Sequence, residues 1–295
     1  MPEAVTGARA APTLLRTVAL TAAAMVAFAA NSLLCRLALQ HQGIDPASFG
    51  SIRLVSGALT LALVVRFRAH SPPAARADWL AAAMLFAYVA FFSFAYLSLP
   101  AGTGALILFG AVQLTMLGAG LGGGERFGPL AWLGFILAAG GLVYLVLPGV
   151  AAPPLLGAVL MAIAGVAWGV YSLRGRGVAD PLAATARNFL RAVPLALALS
   201  LVFAARAHAD AAGIALAVAS GALTSGLGYV IWYAVLPRLS AMQAATVQLS
   251  VPLLAAIGGV LLLSEAITPR LAAASVAILG GIAIVLSQKS RSARR

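Results

Sequence analysis

The sequence predicts an all-α polytopic membrane protein, ten transmembrane helices arranged as two inverted five-helix repeats. Three observations carry that prediction. Composition is the first: 62% of the 295 residues are hydrophobic and only 9% are charged, with a mean hydropathy of +1.03. The apolar residues fall in blocks approaching ~20 residues, the length a helix needs to cross a hydrocarbon layer of roughly 30 Å. Most blocks are apolar all round, whereas a soluble helix keeps a polar face. The second is duplication. Glu125, Pro129, Gly140 and Gly141 recur 140 positions on as Glu265, Pro269, Gly280 and Gly281, and Gln113 and Gln248 precede the two glutamates inside apolar runs. A doubled unit explains this most simply. The third is the distribution of loop charge, taken up once the elements are in place.

Residues 1–16, with Arg9 and Arg16, read as a disordered cytoplasmic tail. Helix 1 is expected over Thr17 to Leu39. Ala27-Phe28-Ala29 resembles a signal-peptide cleavage site, but Asn31, Ser32 and Arg36 have counterparts 140 positions later in Tyr171, Ser172 and Arg176, where no signal can lie. Helix 2 follows the Asp45-Pro46 turn, from Ser48 to Val65. Helix 3, Trp79 to Leu99, is rich in aromatics. Helix 4 runs from Ala101 to Leu121 and helix 5 from Pro129 to Leu147, so the first repeat is 17–147. Residues 148–154 form an uncharged periplasmic linker. Helices 6 to 10 are expected over Leu155–Leu173, Leu182–Ala205, Ala212–Tyr233, Ala241–Leu263 and Leu271–Ser287, giving a second repeat of 155–287 and a basic cytoplasmic tail, 288–295.

Other features are also doubled. Asp180-Pro181 opens helix 7 as Asp45-Pro46 opens helix 2, and Tyr233 to Pro237 ends helix 8 as Tyr96 to Pro100 ends helix 3, at offsets of 135 and 137. Five helices is an odd number, so the second copy must face the other way, with the pathway between the halves near mid-membrane.

Loop charges test the count. With the N-terminus inside, one side holds Arg9, Arg16, Arg66, Arg68, Arg76, Arg126, Arg174, Arg176, Arg238, Lys289, Arg291, Arg294 and Arg295. The other holds Arg206 and Arg270, with Arg36 near its face. That is the positive-inside asymmetry, and it accounts for the net charge of +12 without nucleic acid as a partner. A single cysteine, Cys35, excludes an intrachain disulfide and a CxxC metal site.

Trp168-Gly169 in helix 6, the run from Asp45-Pro46 to Arg53 opening helix 2, Pro252 followed by Glu265, and the Gly-Gly pairs of helices 5 and 10 together resemble the drug/metabolite transporter superfamily, EamA type. The likeness covers Thr17 to Ser287. Two positions depart between the copies: Phe28 stands where repeat two has Trp168, and Val112 where it has Pro252. The resemblance implies movement of small metabolites, amino acids, nucleotide-linked sugars or drugs, and the chain looks most like bacterial amino-acid and metabolite exporters of the inner membrane, with both termini cytoplasmic. No cofactor or metal is implied.

Polar groups inside a membrane span are costly unless partnered, so those near mid-helix are informative. The candidate substrate-binding set is Asn31, Ser32, Tyr88, Phe92, Gln113, Trp168, Tyr171, Ser225, Tyr229 and Gln248. Ser93, Thr115, Thr224 and Gln243 are further polar positions. These fall on helices 1, 3 and 4 and on their partners 6, 8 and 9, which points to one cavity whose amides and phenols hold a zwitterion's ends while aromatics cover its body. The competing reading is that each amide bonds a neighbouring helix. Tyr88, Phe92 and Tyr96 share one helical face, repeated 137 positions on by Ser225, Tyr229 and Tyr233.

All seven acidic residues (Glu3, Asp45, Asp78, Glu125, Asp180, Asp210, Glu265) and His41, His70 and His208 lie in tails, loops or helix ends. Facilitated diffusion or exchange is therefore expected in preference to tight proton antiport, and no constellation for an intramembrane enzyme is present. Arg53, about two turns from Asp45, is expected to snorkel to the outer face, and Arg187 and Arg191 to the inner face, in preference to binding a carboxylate. Glu125 and Glu265 are expected to anchor the turns ahead of helices 5 and 10. Gly118, Gly120 and Gly122 to Gly124 suit close helix approach or an inner hinge. Gly140-Gly141 and Gly280-Gly281 suit packing, either between helices 5 and 10 or between two protomers of a homodimer. The functional expectation is a secondary transporter exporting small organic metabolites, amino acids first, by alternating access around a central cavity. The alternatives are a proton-coupled multidrug or other efflux transporter and, from another class, a structural or channel-like membrane protein.

Overall fold

The computed structural model describes residues 10–68, 78–124, 128–149, 151–239 and 241–292. Among them every regular element is helical: α1 (Ala10–Gln40), α2 (Pro46–Arg66), α3 (Trp79–Ala95), α4 (Ala101–Gly122), α5 (Pro129–Val146), α6 (Leu155–Arg174), α7 (Pro181–Val202), α8 (Ala211–Arg238), α9 (Ala241–Gln248 and Ser250–Leu263) and α10 (Pro269–Ser292). Nine of these are long and apolar enough to cross a bilayer, and α3 is a shorter apolar helix. The chain is a polytopic membrane protein by this measure, and large aliphatic side chains such as Leu201, Leu261 and Val276 are exposed on the outside of the bundle, where hydrocarbon suits them.

The boundaries differ from expectation most at four places, one being α8, which runs on to Arg238 rather than ending at Tyr233. α1 begins at Ala10 rather than Thr17, so only residues 1–9 of the expected tail lie outside the described residues, and α10 runs on to Ser292. α3 stops at Ala95 rather than Leu99. The residue before a proline is pushed out of helical geometry, and Tyr96 to Leu99 form a turn that delivers Pro100 to α4.

Four aspartates account for the acid content of the helix starts. The Asp45 side chain accepts from the Ala47 and Ser48 amides ahead of α2, Asp180 from Ala183 ahead of α7, Asp78 from Ala81 ahead of α3 and Asp210 from Gly213 ahead of α8. Each satisfies amide groups that a first helical turn leaves unpaired, worth about 1 kcal/mol. The caps fall in two pairs, α2 with α7 and α3 with α8.

Packing follows the same pairing. The α5–α10 and α2–α7 contacts map onto themselves when helices n and n+5 are exchanged, α3–α6 maps onto α1–α8, and α4–α6 maps onto α1–α9. α5 and α10 meet through glycines. A Cβ on Gly134 would lie 2.6 Å from the Gly281 carbonyl oxygen, and one on Gly141 would lie 2.8 Å from Ala277 Cβ, whereas Gly140 and Gly280 face open space. Of the two packing partners weighed for the Gly-Gly pairs, Gly141 and Gly281 therefore serve contact between α5 and α10. Gly118 and Gly122 meet nothing within 4 Å, so they serve no close approach.

Two helices depart from regular α geometry, both beside the centre. α8 widens into a π-helix at Ser220–Leu227. α9 breaks between Gln248 and Ser250, because Pro252 has no N–H to give the Gln248 carbonyl four residues back.

Candidate functional site

A cavity of about 550 Å³ lies between α1 to α4 and α6 to α9. All ten candidate residues, Asn31, Ser32, Tyr88, Phe92, Gln113, Trp168, Tyr171, Ser225, Tyr229 and Gln248, border it. Ser93 and Thr115 instead bond back to carbonyls four residues earlier on their own helices, and Gln243 is not on the wall.

Arg53 also borders the cavity, and here the structure corrects the sequence reading. Its residue is 1% exposed. Nη2 donates to Tyr88 Oη at 3.0 Å and Nε to Ser225 Oγ at 3.3 Å, while buried Nη1 has no partner. The guanidinium carbon sits 5.1 Å from the Tyr88 ring centroid and 5.0 Å from that of Phe92. Snorkelling fails for two tertiary reasons. The end of the bundle towards Asp45 is sealed by the α7–α8 connection, and α8 presses onto α2 so closely that a Cβ on Gly221 would strike the Arg53 carbonyl oxygen. Arg187 and Arg191, by contrast, are half-buried at the cavity's mouth, with Arg191 6.0 Å from the Trp79 ring.

A hydrogen-bonded chain holds Arg53 in place. Asn31 Nδ2 donates to Tyr88 Oη at 3.3 Å, and Asn31 Oδ1 accepts from Ser220 Oγ at 2.7 Å and Thr224 Oγ1 at 3.4 Å. Tyr88 Oη thus accepts twice, and its own proton has no acceptor among the described residues. Tyr171 donates to Thr185 at 3.3 Å, and Thr185 meets Tyr233 Oη at 3.1 Å. Asn31 and Tyr171 therefore do join helices, as the competing reading held, while also facing the cavity. Trp168 is the hub of the aromatic wall: its centroid lies 4.8 Å from Tyr88, 5.2 Å from Tyr171 and 5.7 Å from Tyr229, the last two stacked. Its repeat counterpart Phe28 lies against Tyr229 and Trp232 on the same wall.

The two ends of the cavity differ. At one end Asp45 N donates to the His208 carbonyl at 3.0 Å, Asp210 N to that of Gly43 at 2.7 Å, and His208 N to Asp45 Oδ2 at 3.1 Å. Burial pushes the Asp45 carboxyl up, but the donors Ser48, His208 and Ala47 outweigh it and hold it below the usual value. Arg36 and Glu265 pair at the same end, 3.3 Å apart. Glu265 also accepts from Ala101 N at 2.8 Å, so it anchors the start of α4 and not, as expected, the turn ahead of α10. Glu125 lies outside the described residues. At the other end the wall reaches the exposed α6–α7 turn, Arg174 to Gly177. Arg174 pairs there with Asp78 at 2.8 Å and Arg68 with Asp180 at 3.4 Å. Burial raises the Asp78 carboxyl, yet the Arg174 bond and charge with the Ala81 amide bring it below the ordinary range.

Among the described residues charge on the wall is one-sided: Arg53, Arg174, Arg176, Arg187 and Arg191 against Asp78 alone. No group of three His, Cys, Asp or Glu side chains converges among the described residues. Sequence reasoning passed over Thr185 and Asn188 on α7, both buried on the wall. Asn188 could have been found, since it stands 135 positions after Arg53, the offset of the two Asp-Pro pairs.

The sequence profile of the EamA-like transporter family matches residues 155–287, the second set of five helices. Over 280 residues the chain is 56% identical to an uncharacterized protein of Pseudomonas aeruginosa, covering 95% of this chain and 98% of that protein. One solved crystal structure superposes with a TM-score of 0.62 at 22% identity, over 90% of this chain and 98% of the other, and so shares the fold. With the profile match, the near-full-length relative and eight of the ten helices gathered around a polar cavity, the chain belongs to the EamA-like transporter family.

Proposed function

We propose that the protein is a secondary transporter that exports small organic metabolites, amino acids first among them, across the bacterial cytoplasmic membrane by alternating access between two inverted repeats. The observation that carries this is the convergence of polar and aromatic side chains from both halves on one cavity, sealed at the Arg36–Glu265 end and reaching the surface at the Arg174 end. By the positive-inside rule the end with Arg66, Arg68, Arg174, Arg176 and Arg238 is cytoplasmic, which makes the conformation inward-facing with both termini inside. The exchange of contacts between helices n and n+5 supports the inverted pair. Facilitated diffusion or exchange fits the wall better than proton coupling, because the one carboxylate on it among the described residues, Asp78, sits at the mouth and is held by Arg174.

The test is flux into liposomes reconstituted with the protein, using labelled amino acids against sugars and organic cations. Saturable flux, with half-saturation raised several-fold by Gln113→Ala, Trp168→Ala or Gln248→Ala, is expected. Flux that rises linearly with concentration would make the protein channel-like. Flux that follows an imposed pH gradient steeply would favour the proton-coupled alternative.

A further inference from the structure

We infer that Arg53 is the anchor for a carboxylate or similar monoanionic head on the transported molecule, so that the cavity selects small organic anions with an aromatic or apolar body. The inference rests on the transport reading above and names the substrate class of the same cavity.

A guanidinium stays charged at any physiological pH, and a buried charge is strongly unfavourable unless a counter-charge is supplied. The described residues supply none to Arg53. Its bonds are to two neutral hydroxyls, Tyr88 and Ser225, and Nη1 is buried without a partner. The aromatic faces of Tyr88 and Phe92 moderate the charge without cancelling it. The one carboxylate on the wall among the described residues, Asp78, is already bonded to Arg174. A bound anion is the missing partner.

The surroundings fit such a head. The guanidinium offers the planar fork that carboxylates accept from, and the spare Tyr88 O–H lies beside it because Tyr88 Oη is already accepting from both Arg53 and Asn31. Both donors are held from behind, Tyr88 by Asn31 and Arg53 by the π-helical stretch that presents Ser225. A widened helix at this point is a common mark of a functional position. Next to the head lies Trp168, stacked with Tyr171 and Tyr229, a surface for a flat or apolar body. The mouth adds Arg174, Arg176, Arg187 and Arg191, whose summed field draws anions in and repels cations.

The repeat fixes the number of charges. The α7 position equivalent to Arg53 is Asn188, buried on the same wall and neutral (188−53 and 180−45 both give 135). One guanidinium suits one negative charge. An ammonium group on the same molecule finds only neutral acceptors here, so the acid head and not the amine is what the cavity recognises.

The experiment is competition binding to the purified protein by four compounds of one shape: 3-phenylpropionate, L-phenylalanine, 3-phenylpropionamide and phenylalaninamide, with labelled 3-phenylpropionate as tracer. The two carboxylates are expected to bind at least tenfold more tightly than their amides. Arg53→Gln should weaken 3-phenylpropionate far more than its amide, bringing the acid-to-amide ratio near one, and Tyr88→Phe should weaken the acid more than the amide. If Arg53→Gln does not fold, the wild-type acid-to-amide ratio and Tyr88→Phe decide. An acid-to-amide ratio near one, or saturable transport of phenylalaninamide indifferent to 3-phenylpropionate, overturns the anion anchor while leaving transport standing. Acid-selective binding with no flux of any of the four overturns transport while leaving the anchor standing.

Discussion

Arg36 and Glu265, 229 positions apart in sequence, meet at 3.3 Å across the sealed end of the cavity. The pair ties α1 to the α3–α4 and α9–α10 connections, since Arg36 also donates to the Tyr96 and Leu97 carbonyls at 3.0 and 3.2 Å and Glu265 accepts from Ala101 N at 2.8 Å. Its exposure is low, 18% and 13% of the two side chains, so solvent screens it only partly. Arg176, the counterpart of Arg36 at an offset of 140, is exposed at the other end. The ion pairs at that other end, Arg174–Asp78 and Arg68–Asp180, are each more exposed than Arg36–Glu265 on the arginine side, at 45% and 46%, so the two ends are held unequally.

Breaking the Arg36–Glu265 pair should open the sealed end. Glu265→Gln removes a charged hydrogen-bond partner worth about 1–3 kcal/mol, roughly a 5- to 150-fold change in the open population. With Cys35→Ala removing the single native cysteine, Ser225→Cys reports on the cavity. A membrane-impermeant thiol reagent applied from the sealed side should label it several-fold faster in Glu265→Gln than in its parent. Equal rates would show that the pair does not hold the end shut.

Acid should loosen both ends. Asp45 has its carboxyl held below the usual value by donors that outweigh burial, and Asp78 is depressed likewise by Arg174 and Ala81. A carboxyl depressed in the folded state contributes stability that is fully present above its unfolded value and is lost as pH falls through the folded one. Thermal unfolding followed from neutral pH to about pH 3 should therefore show a falling melting temperature on the acid limb. That limb should be shallower in the Asp45→Asn, Asp78→Asn double variant, and an unchanged limb would mean that neither cap matters.

Gly221 sets the distance between α8 and α2. A Cβ there would meet the Ser56 hydroxyl and the Arg53 carbonyl oxygen, and backbone cannot step aside as a flexible side chain can. Gly221→Ala should cost about 1–3 kcal/mol of overpacking, lowering the melting temperature in detergent by roughly 2–10 °C, and should move Arg53 with it. Gly280→Ala is the matched control, since nothing lies within 4 Å of that position, and it should leave the melting temperature unchanged.

What could be read in advance, and what could not, divides along physical lines. Gln113, Trp168 and Gln248 were legible as cavity-wall residues because an amide or indole inside an apolar run is costly wherever lipid surrounds it, and the fold gathers those runs around one centre. Arg53 was misjudged because its distance along α2 from Asp45 is a local quantity. The seal that denies it solvent is made by His208 and Asp210, more than 150 positions away (208−53 = 155). Glu265 was misplaced for the same reason, its partner amide at Ala101 being 164 positions distant. The π-helical turn at Ser220–Leu227 has no composition of its own and follows from how α8 lies against α2.

Pro252 was legible as a difference between the repeats, and the structure gives it a consequence. It leaves the Gln248 carbonyl without its usual donor and separates the two pieces of α9 at a cavity residue. Proline in a helix interior costs about 3 kcal/mol, so Pro252→Ala should raise the melting temperature or leave it unchanged. If the break serves as a joint in the cycle, flux should drop several-fold at the same time. Raised stability with unaltered flux would return Pro252 to a packing role.

The buried arginine also bears on how transport is coupled. With the cavity empty, Arg53 carries a charge that no described residue neutralises; with a carboxylate bound, the pair is neutral. Rearranging the bundle around an uncompensated charge in a low-dielectric setting is the harder step, so the loaded protein should change sides faster than the empty one. Uptake of labelled 3-phenylpropionate into liposomes should therefore speed up several-fold when the interior already holds the unlabelled compound. In Arg53→Gln the empty form no longer carries the charge, so that acceleration should vanish. Acceleration that persists in the variant would place the slow step elsewhere. Uptake in the wild type driven by a pH gradient alone, with nothing inside to exchange, would mean that a proton and not a second anion completes the cycle.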